Sequence, residues 1–402
     1  MKKLVVFLLV IVLAFAGFLT WLSYQPEQHM AVTDEEVPAY DGQMTEEAAH
    51  ECVNCLDYEA IRALHSDDEL VLTVCGKDVS WAEYYSWFSM NAMQVESYFE
   101  QMALYYGVSA DWSGSTGDDS GTIYADLPAL STEEALMRFA AVEKLAADKG
   151  IALSEESKAQ LDDEALAAGV MGEGAAVEDL IAALDEMGMD LETYRSITAA
   201  NLLYSDMLTA EYGANCELVD DDTVALWLGE QGFMCANHIL LMTADPATGE
   251  VADEATAAEK KALADELYAE LSAIEDVEQL KARFAELKEQ YCEDTGKTAY
   301  PDGYTFSSGQ MVTPFEDAVK ASEAYEVHEP VESQYGWHIV MRLPLSKDCL
   351  INDAASGAQL PASWLYAEGD MNAQVEEVMA ANTITYADGF EQINVLDFVI
   401  AE

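Results

Sequence analysis

Two histidines a hundred residues apart each open an apolar run with the pattern of a buried strand. His238 precedes Ile-Leu-Leu-Met, and His338 precedes Ile-Val-Met. Between them a glycine-containing turn is followed by Met311 and, four residues later, Phe315. An imidazole can donate and accept hydrogen bonds. A lone histidine beside a strand is usually a structural core residue, so neither histidine predicts a site by itself.

The segments around these motifs predict the elements that would position them. A loop at 244–249 follows the first apolar run. Two amphipathic helices come next, and their apolar positions repeat at helical spacing: Leu263, Leu267 and Leu271 in the first, then Leu280, Phe284, Leu287 and Tyr291 in the second. A short helix at 315–319 and a buried strand at 335–342 complete the unit, for which we predict boundaries at 233–345.

In this order the motifs resemble the parvulin family of peptidyl-prolyl isomerases, in particular its extracytoplasmic PrsA and SurA type. The resemblance covers roughly 233–345. It implies an FKBP-like α+β fold that isomerises X-Pro peptide bonds and needs no metal or other cofactor. The expected fold class is therefore α+β.

The resemblance also implies which residues form the site. Asp294 falls where parvulins carry Cys or Asp facing the substrate carbonyl, and Ser333 falls where a hydroxyl group often joins the histidine pair. The usual Gly-Asp-Leu-Gly is Asp-Gly-Tyr-Thr at 302–305, so the leucine of one pocket wall is missing. The residues expected in catalysis are His238, Asp294, Ser333 and His338, and those expected to bind proline are Phe306, Met311 and Phe315.

The loop after the first histidine indicates whether phosphorylated substrates would be preferred. Phosphate-specific parvulins carry Lys or Arg there, whereas residues 243–252 contain neither. The sequence therefore predicts no preference for a phosphorylated residue before proline.

The overall composition limits the possible partners. The chain has 402 residues, which predicts two or three domains, and 76 Asp and Glu against 18 Lys and Arg give a net charge of −58. Such a charge argues against nucleic acid and anionic lipid surfaces as partners. A solvated acidic surface is the simplest interpretation, and an attraction for basic unfolded chains is a second.

The N-terminus predicts a membrane segment. Residues 4–22 are uncharged and follow Lys2 and Lys3. As a helix they would extend about 28 Å, close to the roughly 30 Å hydrocarbon layer. Ala14-Phe-Ala16 could instead serve as a signal-peptidase site. We favour an uncleaved anchor at 1–24 followed by an acidic linker at 25–65. Either alternative places the rest of the chain outside the cytoplasm, as a secreted protein if the segment is cleaved.

Seven cysteines form no dense, even pattern. Cys52 and Cys55 are the only close pair, and His50 lies beside them. A structural zinc site would need two further ligands at suitable spacing, which are missing. We therefore predict no metal there and leave open a local disulfide or free thiols.

Residues 66–232 predict a helical domain. A strand at 70–74 leads to Ser80 and Glu83, which have the spacing of a capping box before an aromatic-rich helix. Further helices are predicted at 131–149, 154–168, 177–187 and 190–210. This order looks like the chaperone region of SurA-like proteins, in which a C-terminal segment packs back. By analogy we expect the same of 346–402, with strands at 384–386 and 393–400.

Three functional classes remain open. The first is an isomerase and foldase acting on unfolded or newly exported polypeptides that contain X-Pro bonds. The second is a catalytically inactive chaperone that binds extended chains, and the third is an acidic adhesin or scaffold. The retained pocket residues favour the first. The sequence predicts neither the client proteins nor the oligomeric state.

Overall fold

The computed structural model describes residues 54–108, 110–117, 120–245, 248–352 and 358–400. The predicted membrane segment 1–24 and most of the predicted linker lie outside the described residues. Within those residues, no helix combines the length and the apolar character needed to cross a membrane.

The chain alternates helical stretches with short strands. The helices are α1 (Tyr58–Arg62), α2 (Trp81–Tyr106), α3 (Leu127–Lys149), α4 (Glu155–Ala159), α5 (Asp163–Met171), α6 (Val177–Asp185), α7 (Leu191–Tyr212), α8 (Asp221–Glu230), α9 (Glu254–Leu271), α10 (Val277–Tyr291), α11 (Thr313–Ala321) and α12 (Ala362–Ala381). The strands are β1 (Leu70–Val74), β2 (Lys77–Ser80), β3 (Phe233–Met242), β4 (Tyr304–Ser307), β5 (Val331–Ser333), β6 (Gly336–Leu343), β7 (Leu350–Asn352), β8 (Gln359–Pro361) and β9 (Thr385–Tyr386).

These elements group into two compact units. The first comprises the described residues up to Met207 together with those from Asn372 onward, and the second is Leu208–Met371. The domain boundaries drawn from the sequence, at 66–232, 233–345 and 346–402, stay predictions.

The first unit is built on the aromatic helix α2. Ser80 caps it, as predicted, by accepting a hydrogen bond from the Glu83 N–H at 3.3 Å. The other half of the predicted capping box is wrong, because the Glu83 carboxylate pairs with Lys77 at 3.1 Å. Trp81 and Phe88 are fully buried, so this aromatic stripe forms core. The end of the predicted linker is also packed there, with Ile61 of α1 fully buried.

A small antiparallel sheet with the strand order β2-β1-β9 completes the first unit. The strand predicted at 384–386 forms as β9, which pairs Tyr386 with Leu72. The strand predicted at 393–400 is wrong. A 3₁₀ turn at Val395–Asp397 interrupts the segment, which buries Ile393 and Val395, and only an isolated antiparallel bridge between Val399 and Leu56 remains.

The second unit contains a four-stranded antiparallel sheet with the order β4-β3-β6-β5. Its central strands pair over their length, from Cys235 opposite Leu343 to Met242 opposite Gly336. They are buried on both faces, which explains their nearly continuous apolar sequence. Helices α9 and α10 contribute to the larger apolar cluster, and α11 contributes to a smaller one. The second unit is thus mixed α and β, as predicted.

Candidate active site

The pairing of β3 with β6 brings the two predicted histidines to one face of the sheet. His238 lies opposite Val340 and His338 lies opposite Leu240, so the imidazoles are diagonal neighbours. Their Nδ1 atoms are 3.3 Å apart, and both residues are buried. The register of the central strands therefore fixes the histidine pair.

Gly336 is required by the turn that leads into β6. Its φ is +143°, and a Cβ there would lie 2.1 Å from the Leu241 carbonyl oxygen. Only glycine allows this close approach of two backbones. The same turn positions Ser333. Its Oγ accepts a hydrogen bond from the Tyr335 N–H at 3.1 Å and lies 2.7 Å from Nε2 of His338.

Asp294 lies at the other end of the histidine pair. Its Oδ2 is 2.8 Å from Nε2 of His238 and accepts a hydrogen bond from the Tyr304 hydroxyl at 2.6 Å. Its Oδ1 accepts from the Gly296 N–H at 2.9 Å, which caps the 3₁₀ turn at Thr295–Thr298. The carboxylate therefore has three donors around it.

These contacts define one consistent direction for the hydrogen bonds. An ionised Asp294 can only accept, so His238 donates from Nε2 and presents Nδ1 as an acceptor. His338 then donates from Nδ1 to that atom, and its Nε2 accepts from the Ser333 hydroxyl. Both imidazoles are neutral in this assignment, which is inferred from the partners.

The electrostatic environment supports an ionised Asp294, a neutral His338 and a protonated Tyr304. The His238 hydrogen bond, assisted by Tyr304 and Gly296, holds the pKa of the Asp294 carboxyl well below its usual range, although burial opposes it. Burial lowers the pKa of His338 to about 3. Burial and the Asp294 carboxylate raise the pKa of Tyr304, so that hydroxyl stays a donor.

An apolar wall stands beside the histidines. Phe306 of β4 and Phe315 of α11 are almost fully buried, with ring centroids 5.6 Å apart. The Phe315 ring meets His238 edge to face at 5.2 Å. Met311 is partly buried and packs on the same cluster. The structure thus brings together all seven side chains that were predicted for catalysis and proline binding.

The turn before α11 is held by a buried carboxylate. Glu316 accepts from the Gly309 N–H at 2.8 Å and also contacts Ser308 and Lys320. These bonds, led by Lys320, lower the pKa of Glu316 to about 2. The turn that carries Met311 is therefore fixed against the helix that carries Phe315.

Tyr304 is a site residue that the sequence reasoning missed. It occupies the place of the leucine that parvulins usually carry, and its ring lies 5.6 Å from that of His238. A signal was present, because side chains two residues apart in a strand share a face and Phe306 was already assigned to the pocket. In place of the usual leucine, this wall contains a tyrosine whose hydroxyl is hydrogen-bonded to Asp294.

No metal site is evident in the part of the chain that the structure describes, where no group of three or more His, Cys, Asp or Glu could hold an ion. Cys55 is disulfide-bonded, which settles the earlier alternatives for that thiol. The other cysteines among the described residues are free: Cys75, Cys216, Cys235, Cys292 and Cys349.

Most of the sheet, the histidine pair and the aromatic wall lie in the part of the chain that matches a known protein family. Residues 238–343 match the Rotamase family model, described as a PPIC-type PPIASE domain. The predicted resemblance to PrsA- and SurA-like parvulins is thereby confirmed for this part of the chain.

Individual bacterial proteins also match parts of the chain. The chain is 50% identical to Foldase protein PrsA 1 of Bacillus cereus over 58 residues, which are 14% of this chain and 20% of the relative. It is 34% identical to Chaperone SurA of Methylobacillus flagellatus over 97 residues, 22% of each chain. The matches thus span about a fifth of the length of these relatives. The crystal structure of PrsA from Bacillus subtilis aligns over 79% of this chain and 92% of its own, at 19% identity and with a TM-score of 0.22.

Proposed function

We propose that the chain is a peptidyl-prolyl cis-trans isomerase and foldase for exported polypeptides. The observation that carries this proposal is the hydrogen-bonded series Ser333–His338–His238–Asp294 beside the Phe306–Phe315 wall. An apolar wall beside an ordered series of polar groups suits a substrate that must be desolvated and twisted. A covalent intermediate is not required.

The chemistry follows from the peptide bond itself. Amide resonance gives a rotation barrier of about 18–20 kcal/mol, and an X-Pro bond takes tens to hundreds of seconds to isomerise. Lowering that barrier by about 5 kcal/mol accelerates rotation several thousandfold. A pocket that removes water from the amide and fits the twisted proline supplies such stabilisation.

The Asp294 carboxylate has an electrostatic role in this proposal. The planar amide places negative charge on the carbonyl oxygen, and the twisted amide loses that charge. An anion near the carbonyl therefore destabilises the planar form more than the twisted one. The three donors around Asp294 keep it ionised and in place.

The Asp294→Asn variant tests this role. We expect kcat to fall about tenfold, equivalent to roughly 1.4 kcal/mol, while the Kd for an X-Pro peptide stays near the wild-type value. The matched control is Asp317→Asn, since Asp317 is an exposed residue of α11. Unchanged turnover in Asp294→Asn would contradict the electrostatic role, and a parallel loss in Asp317→Asn would indicate an effect of net charge alone.

The Tyr304→Phe variant tests the hydroxyl that replaces the usual leucine. Removing this donor should raise the pKa of Asp294, because the donor stabilises the ionised form. The acid limb of the kcat profile should therefore move to higher pH, whereas a purely structural role would leave it in place. Tyr300→Phe is the control, since its ring stacks on Tyr304 at 4.5 Å but its hydroxyl contacts Asn352.

We also propose that the protein acts outside the cytoplasm, held by a helix at 4–22 and separated from the membrane by the acidic linker. The Cys55 disulfide supports an oxidising compartment. The expected mature protein retains its N-terminus and fractionates with membranes. N-terminal sequencing that begins at Gly17 would contradict the anchor and leave the extracytoplasmic location intact.

A further inference from the structure

Two cysteines of the second unit meet on the back of the isomerase sheet. Cys235 lies on β3 opposite Thr305 of β4, whose hydroxyl contacts its sulfur at 3.7 Å. Cys349 lies immediately before β7, which contacts β4, so its thiol neighbours that of Cys235. Side chains alternate along a strand, so Cys235 points away from the face that carries His238.

The Cys349 backbone is held firmly in this position. Its N–H donates to the Ser346 carbonyl at 3.2 Å, and its own carbonyl accepts from the Ala362 N–H at 2.8 Å. The Ser346 N–H also points at the Cys349 sulfur, at 3.3 Å. Both thiols are buried, with 8% of Cys235 and 7% of Cys349 exposed. The fold therefore fixes the position of the Cys349 thiol on this side of the sheet.

We propose that Cys235 and Cys349 form a redox modification site that closes to a disulfide by exchange with a small-molecule or protein disulfide. Formation of this disulfide does not require isomerase activity. The other free thiols have different surroundings: Cys75 contacts the Met137 sulfur, and Cys292 contacts backbone groups of β3.

The environment distinguishes the roles of the two sulfurs. Contact with Cys235, helped by the Ser346 N–H that lies 3.3 Å from the sulfur, lowers the pKa of Cys349 although burial opposes it. The same contact, together with burial, raises the pKa of Cys235. Cys349 is therefore the thiolate that attacks first, because the thiolate and not the thiol is the nucleophile.

The exchange balances in two steps. The Cys349 thiolate attacks one sulfur of the oxidant and expels the other as a thiolate, leaving a mixed disulfide on Cys349. Cys235 then loses its proton and attacks the Cys349 sulfur, which expels the second oxidant thiolate. The protein loses two electrons and two protons, and the oxidant disulfide is reduced to two thiols.

The bond would join β3 to the segment before β7 and close a loop that contains the isomerase elements between them. Cross-linking a loop of this length restricts the unfolded chain strongly. For a unit of this size we expect the thermal midpoint to rise by roughly 10 °C. Because the pair lies behind the sheet, isomerase activity should not change.

The test uses the full chain treated with glutathione disulfide, or with dithiothreitol as the reduced reference. After alkylation without reduction, peptide mapping should find the peptides of Cys235 and Cys349 linked. The thermal midpoint should rise on oxidation in the wild type and in the control Cys216→Ser, a buried thiol of the same unit. The rise should disappear in Cys235→Ser and in Cys349→Ser.

Two results would overturn the proposal. One is separate alkylation of both thiols after oxidation, or a link from either of them to another cysteine. The other is a rise in midpoint that persists in Cys349→Ser. Peptide mapping of the wild type decides the matter even if a serine variant fails to fold.

Discussion

Replacing Phe315 by alanine is expected to lower kcat/KM for an X-Pro peptide by about 30- to 100-fold, or roughly 2–3 kcal/mol. Phe315 touches both Phe306 and the histidine pair, so its ring forms the centre of the proposed proline pocket. Truncation would leave the twisted proline partly solvated. Met311→Ala should cost less, because Met311 is only partly buried at the edge of the same cluster.

Loss of folding must be separated from loss of catalysis in this experiment. Removing a buried phenylalanine costs about 3–5 kcal/mol of stability wherever it lies. Phe284 of α10 provides the matched control, since it is fully buried in the larger apolar cluster with the helices. Phe284→Ala should lose comparable stability but keep wild-type kcat/KM per folded molecule. Equal losses of activity in the two variants would contradict a pocket role for Phe315.

Acid should destabilise the second unit through His338. Its pKa is about 3 in the folded protein, against about 6.5 in an unfolded chain. Between these values the unfolded chain binds a proton that the folded chain does not, so stability falls as the pH falls. Between pH 6.5 and 4.5 the loss should be about 2–3 kcal/mol.

Hydrogen exchange of the β3 and β6 amides measures this loss as a free energy of opening. His338→Gln should remove this part of the pH dependence, while His328→Gln, in the same unit, should retain it. Asp294 does not interfere in this window. Its depressed pKa contributes stability that is present above an unfolded value of about 3.9 and is lost only below it. An unchanged slope in His338→Gln would contradict the assignment of a neutral, buried imidazole.

Much of the four-stranded sheet could be predicted, because its central strands have recognisable local sequence patterns. Continuous apolar runs after His238 and before Arg342 indicated central strands, and the structure pairs them in full. Strand β1 lies at 70–74 as predicted, and the Ser80 cap is present. The roles of the site residues were predicted instead from the resemblance to parvulins. Spacing alone could not show that the two imidazoles share a face, because that depends on the register between distant strands.

The errors arose where distant partners decide local structure. Residues 154–168 were predicted as one helix, but α4 ends at Ala159 and α5 begins at Asp163. Arg195 of α7 donates to the Leu161 carbonyl at 3.3 Å and pairs with Asp163, so a residue far along the chain stabilises the break. The Glu83–Lys77 pair and the Tyr304–Asp294 bond are likewise contacts that local patterns do not reveal.

The most direct test is the cis-trans isomerisation rate of an X-Pro peptide with the full chain. We predict saturating rates several thousandfold above the uncatalysed reaction, no gain when the residue before proline is phosphorylated, and loss of most of the acceleration in the Met311→Ala/Phe315→Ala double variant. A wild-type rate no faster than the uncatalysed reaction, or an unchanged rate in the double variant, would contradict the proposed isomerase.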